Sequence, residues 1–141
     1  MSLDLKNYIP QAGTMDYTTT GTVTGGSVAA NSGSMGYATG AGGSVTQTTS
    51  RTTGVTINKA CGSITLVSAA GSATPASFTV TNSVVAATDV IDINQKSGTD
   101  LYQVFVTNVA AGSFKVTFFT TGGTTTEQPV FNFAVTKAVT S

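Results

Sequence analysis

From Val55 onward an apolar side chain returns at nearly every second position, and a chain patterned in this way has little choice but to form β-sheet. Residues two apart on a strand point to one face. Phe114, Val116 and Phe118 therefore share a face while Lys115 and Thr117 take the other. Phe131, Phe133 and Val135 oppose Asn132 and Thr136 in the same manner, and Tyr102, Val104 and Val106 oppose Gln103 and Thr107. Phe78 with Val80, Ile64 with Leu66, and Ile91 with Ile93 extend the pattern, and together these sets are the expected core. Helical periodicity is nearly absent, because Gly, Thr, Ser and Val dominate where a helix needs Leu, Glu, Lys and Arg.

The alternation predicts strands over residues 55–58, 61–68, 77–82, 89–95, 102–109, 113–120 and 130–137, with a weaker one at 44–48. Seven to eight short strands separated by polar turns are the pattern of an all-β protein, an antiparallel β-sandwich, here spanning residues 44–141. Ala111-Gly112 and Ser97-Gly98-Thr99 are short enough to close hairpins. Charged residues make up 9% of the chain, about a third of the usual share, so another polar residue must wet the surface. Threonine fits: it is β-branched and polar, and it recurs in runs such as Thr18-Thr19-Thr20 and Thr124-Thr125-Thr126.

Residues 1–43 read differently. Gly, Ser and Ala stretches with few apolar residues cannot bury enough surface to fold alone, which predicts an extended N-terminal arm. Tyr8, Ile9, Met15, Tyr17, Met35 and Tyr37 punctuate it, and a plain linker has no need of them. Two readings follow: an arm whose anchors bind a neighbouring subunit, or a loosely ordered tail whose aromatics touch their own domain. Fully extended, the arm reaches on the order of 140 Å.

The side-chain inventory argues against an enzyme. No histidine is present, which removes the commonest general base and metal ligand, and with them any Ser-His-Asp or Cys-His arrangement. Cys61, the single cysteine, opens an apolar strand and reads as a buried, inert thiol; with no disulfide partner and no basic-then-apolar leader, a reducing compartment is expected. Asp89 and Asp92, three apart on a strand, point to opposite faces and read as solvated. Asp100 and Glu127 fall in separate loops, so no carboxylate cluster is expected. Gly40–Gly43 and Gly122–Gly123 lack the lysine and the strand-to-helix context of a phosphate loop and read as turns. Six basic residues balance six acidic ones, which leaves no field to draw nucleic acid. No apolar run approaches the roughly 18 residues of a membrane helix. No catalytic, cofactor-binding or metal-binding residue, no cofactor and no small-molecule substrate are therefore assigned. Phe105 and Phe119 fall opposite their strands' core sets, either as an exposed contact patch or as side chains partly covered at the sandwich edge.

From Met35-Gly36-Tyr37-Ala38-Thr39-Gly40-Ala41-Gly42-Gly43-Ser44-Val45-Thr46-Gln47 through Thr53-Gly54-Val55-Thr56-Ile57-Asn58-Lys59, the chain resembles small structural proteins of tailed bacteriophages. The likeness continues through Cys61-Gly62-Ser63-Ile64-Thr65, Phe78-Thr79-Val80-Thr81-Asn82-Ser83 and Ala110-Ala111-Gly112-Ser113-Phe114. The resemblance implies a virion protein made in the host cytoplasm. Its implied role is that of a cement (decoration) protein on the capsid surface, bound to the major capsid protein as a homo-oligomer, with a trimer as the first expectation. Similar segments also occur in tail-fibre modules, so a receptor-binding module of a fibre is the alternative. The long Gly-rich arm and the lack of a fibre-like repeat upstream favour the cement protein.

Overall fold

The computed structural model describes residues 36–139, and within them the chain is all β. Ten strands form: β1 (Gly42–Thr46), β2 (Val55–Thr56), β3 (Cys61–Thr65), β4 (Ala69–Ala70), β5 (Ala76–Thr81), β6 (Val90–Ser97), β7 (Tyr102–Ala110), β8 (Ser113–Thr120), β9 (Thr126–Glu127) and β10 (Val130–Thr136). Two four-stranded sheets, ordered β1-β3-β10-β6 and β2-β5-β8-β7, face each other as a sandwich, and β4 with β9 makes a short ladder at one end.

The inward set follows the alternation. Ile64, Leu66, Val80, Phe114, Val116, Phe131 and Val135 are fully buried, with Phe78, Phe118 and Phe133 nearly so. The two phenylalanine triads meet across the interior, with Phe114 5.4 Å from Phe133 and Phe118 5.6 Å from Phe131 between ring centroids. Tyr102 packs edge-on to Phe131 at 5.8 Å, so the aromatic cluster ties both sheets together.

Four features depart from the expectation. The sandwich is mixed rather than wholly antiparallel, because β1 pairs parallel with β3 and β2 parallel with β5. The chain passes through the opposite sheet between the members of each pair, so it returns to the first sheet running in its original direction. Second, only Ala111-Gly112 closes a hairpin, joining β7 to β8 with Gly112 at φ 79°. The Ser97-Gly98-Thr99 segment instead carries the chain from β6 in one sheet to β7 in the other. Third, a bulge between Val106 and Asn108 resets the alternation of β7, so Val109 joins Val104 and Val106 against the core. Finally, β1 begins at Gly42, two residues ahead of the weaker strand expected from residue 44. Of the anchors assigned to the arm, Tyr8, Ile9, Met15, Tyr17 and Met35 lie outside the described residues.

Candidate functional site

Most of the ionisable side chains that turn inward bond the backbone of loops. Arg51, in the loop between β1 and β2, is half-buried and spreads its guanidinium over five acceptors. Nε donates to Val67 O at 3.0 Å, Nη1 to Ala70 O at 3.3 Å and to the Tyr102 hydroxyl at 2.9 Å, and Nη2 to Ala69 O at 2.5 Å and Glu127 O at 2.7 Å. It also lies 5.6 Å from the centroid of the Tyr102 ring. One side chain thus ties four loop and strand segments to β7. Burial pushes the Tyr102 phenol pKa up, and the bond from Arg51 only partly offsets it.

Asp100 and Glu127, expected to stay apart, come together at this end of the sandwich. Glu127 accepts from the backbone N–H of Asp100 at 2.9 Å and from that of Thr99, while Asp100 Oδ2 accepts from Thr125 N at 2.8 Å. Burial alone would raise the Glu127 carboxyl pKa, but the two N–H donors outweigh it and hold it below its ordinary value. A Cβ on Gly123 would sit 2.1 Å from Asp100 Cγ, so the carboxylate occupies the space where any other side chain would start. The sequence missed this meeting because residues 100 and 127 are brought together by the change of sheet after β6, which local alternation cannot reveal.

Asp89 is also not solvated as expected. It is 6% exposed, accepts from Ala86 N at 2.8 Å and pairs with Lys137 Nζ at 2.7 Å. The Ala86 N–H and then the Lys137 ammonium hold its carboxyl below the ordinary value against the opposing effect of burial. Asp92, on the strand proper, is exposed as its parity requires. Cys61 is half-buried rather than buried, because it shares the outward parity of Ser63 and Thr65 while Ile64 and Leu66 turn in. Among the described residues no group of three or more His, Cys, Asp or Glu converges as a metal site.

The outer faces of the two sheets differ in chemistry. On the β1-β3-β10-β6 sheet the outward residues are mainly polar, with Val90 the exposed apolar exception: Ser63 Oγ donates to Asn132 Oδ1 at 2.8 Å, and Lys96 Nζ approaches Ser63 Oγ at 3.4 Å. On the other sheet, hydroxyls of Ser77, Thr117 and Thr107 link three strands through contacts of 2.8 Å each. Beside that ladder Phe105 and Phe119 stack on one another, centroids 6.2 Å apart, with Phe105 47% exposed. The sequence left these two rings either as a contact patch or as covered side chains; Phe119 is half-buried and Phe105 is open. Leu101, 65% exposed just before β7, was not singled out, and nothing in its local sequence marks it.

Phe105 lies on β7, which is the last strand of its sheet and carries no charged residue in nine positions. The other sheet edges are blunted: β6 carries Asp92 and Lys96, β1 has five residues, and β2 has two. Tyr37, the one anchor of the expected arm among the described residues, donates its hydroxyl to Val135 O while its ring stays 48% exposed. Comparison of the chain with protein-family models, with curated proteins and with solved structures finds no match.

Proposed function

We propose that this chain is a structural protein of a tailed-phage virion, a cement protein that binds the outer surface of the head and stabilises contacts between major capsid subunits. The observation that supports it is the flank formed by β7 and β8. It presents an aromatic pair, with Phe105 exposed, beside an uncharged sheet edge, which is the composition of a surface meant to be covered by protein. The charges that turn inward are already occupied: Arg51, Glu127 and Asp89, the last paired with the exposed Lys137, are engaged in holding loops. The resemblance over the described sandwich points the same way. Burial of this flank against a neighbouring subunit adds apolar contact and strand pairing that must be broken before capsid subunits separate.

The test is the place and copy number of the protein in purified virions of the phage that encodes it. The expected result is a band on stained gels in proportion to the major capsid protein, with density on the outer head surface by electron microscopy. A protein found in a few copies at the tail would instead support a fibre module that contacts the host surface.

A further inference from the structure

We infer that the protein covering the β7 and β8 flank presents a carboxylate, which enters a polar pocket at Lys115 on the outer face of the β2-β5-β8-β7 sheet. This rests on the reading of that flank as a protein contact and specifies the chemistry of the partner.

The bulge in β7 makes the pocket. Val106 and Val109 both pack against the core, so Thr107 and Asn108 between them both turn outward, whereas an unbroken strand would send Asn108 in. Asn108 is thereby set opposite Lys115 of β8, whose neighbour in register on the other side is Thr79 of β5. With Ser113 these three side chains line a pocket of about 100 Å³.

Its polar groups are unspent. Lys115 is the only charged residue in the four strands of its sheet. Among the described residues, Lys59, Lys96 and Lys137 each donate to an oxygen of the protein, and Lys115 donates to none. The Thr79 and Ser113 hydroxyls and the Asn108 amide likewise make no side-chain hydrogen bond among the described residues, although Ser77, Thr117 and Thr107 beside them bond one another. One cation flanked by three neutral donors is the complement of one small anionic group, and the two oxygens of a carboxylate can accept from all of them. A nucleic-acid backbone would need several cations in a row, and this sheet has one. The pocket also shares its face with Phe105, which pairs in register with Thr117, two residues from Lys115 along β8. A protein seated on that exposed ring therefore brings its acidic side chains beside the ammonium.

The test uses the full chain, labelled with nitrogen-15, with a capped tetraglutamate peptide as the probe and capped tetraglutamine as the control. Tetraglutamate should saturably shift the amide resonances of Asn108, Ser113 and Lys115, and tetraglutamine should not. Lys115→Gln should weaken binding roughly tenfold or more, while Lys115→Arg, which keeps the charge, should stay within about threefold of wild type. Both variants should fold normally, because the side chain is exposed. Shifts that are absent, spread over the whole surface, or unchanged in Lys115→Gln would overturn the inference. Inorganic phosphate binding as tightly as the peptide would overturn it too, by showing a site for any small anion rather than for an acidic protein segment. Virion location and copy number score the functional reading separately, so either can fail while the other stands.

Discussion

Arg51→Ala measures how far one guanidinium holds an end of the sandwich together. Four of its five hydrogen bonds, to Val67, Ala69, Glu127 and Tyr102, are partly buried, and the fifth, to Ala70, is exposed. Removing the side chain leaves three partly buried carbonyls and a phenol without their donor. Water can reach some of them because Arg51 itself is only half-buried, so each bond is assigned about 0.5–1 kcal/mol rather than the larger value of a fully buried charged bond. The four together come to about 2–4 kcal/mol. For a domain of this size a loss of that order lowers the melting temperature by about 10–20 °C. The assay is thermal and urea unfolding followed by far-ultraviolet circular dichroism, with an unchanged urea slope showing that the folded and unfolded states keep their compactness. Arg51→Lys should recover less than half of the loss, because one ammonium cannot span acceptors that a planar five-donor fork reaches together. Tyr102→Phe, which removes one acceptor, should cost about 1 kcal/mol. If Arg51→Ala unfolds within about 0.5 kcal/mol of wild type, or Arg51→Lys is fully stable, the clamp does not act as described.

Phe118→Ala or Phe133→Ala should cost about 3–5 kcal/mol by opening a cavity between the sheets, while Lys115→Ala on the outer face should stay within about 0.5 kcal/mol; equal melting shifts would refute the assigned faces. Stability should also depend on pH at both extremes. Asp89 and Glu127 have folded pKa values below their ordinary 3.8 and 4.5, so their contribution is complete above that range and lost as pH falls through the folded values. Tyr102 has a folded pKa above 10.0, so its contribution is complete below pH 10.0 and lost as pH rises through the folded value. A urea midpoint that stays level from neutral pH down to about pH 2 would contradict the carboxylate assignments. Cys61→Ser should change stability by less than about 1 kcal/mol, because the thiol sits on an outward face. A thiol reagent that labels Cys61 only after denaturation would show instead that it is buried.

The strands were legible because a half-buried strand writes its two faces into alternate residues, and Phe114, Val116 and Phe118 do so without interruption. Alternation says which residues share a face, but not which strands lie side by side. It therefore could not show that β1 runs parallel to β3, or that Ser97-Gly98-Thr99 changes sheets where a hairpin of similar length would return. The β4–β9 ladder has only two residues per strand, too few for any period to register. Asp89 lies just before β6, so strand parity did not apply to it, and Lys137, which neutralises it, is 48 residues away. Arg51 sat unremarked between Ser50 and Thr52, since nothing local distinguishes a solvated loop arginine from one that reaches four distant carbonyls. Of the candidate contact surface, the rings of Phe105 and Phe119 were visible by parity; the uncharged edge beside them required the strand order.

The position of β10 between β3 and β6 governs when this protein can become folded during its synthesis. Ser63 and Asn132 bond across neighbouring strands although 69 residues separate them. The facing edges of β3 and β6 have no strand between them to pair with until residues 130–136 have been made. The nascent chain therefore carries an unclosed sheet, with the two flanks of a missing central strand exposed, from the completion of β6 at Ser97 until β10 begins at Val130. Non-local pairing of this kind folds slowly and passes through states open to strand addition from other chains. A cell making the protein in quantity should then lose more of it to aggregation before translation ends than after, and slowing translation should lengthen that exposure rather than assist folding.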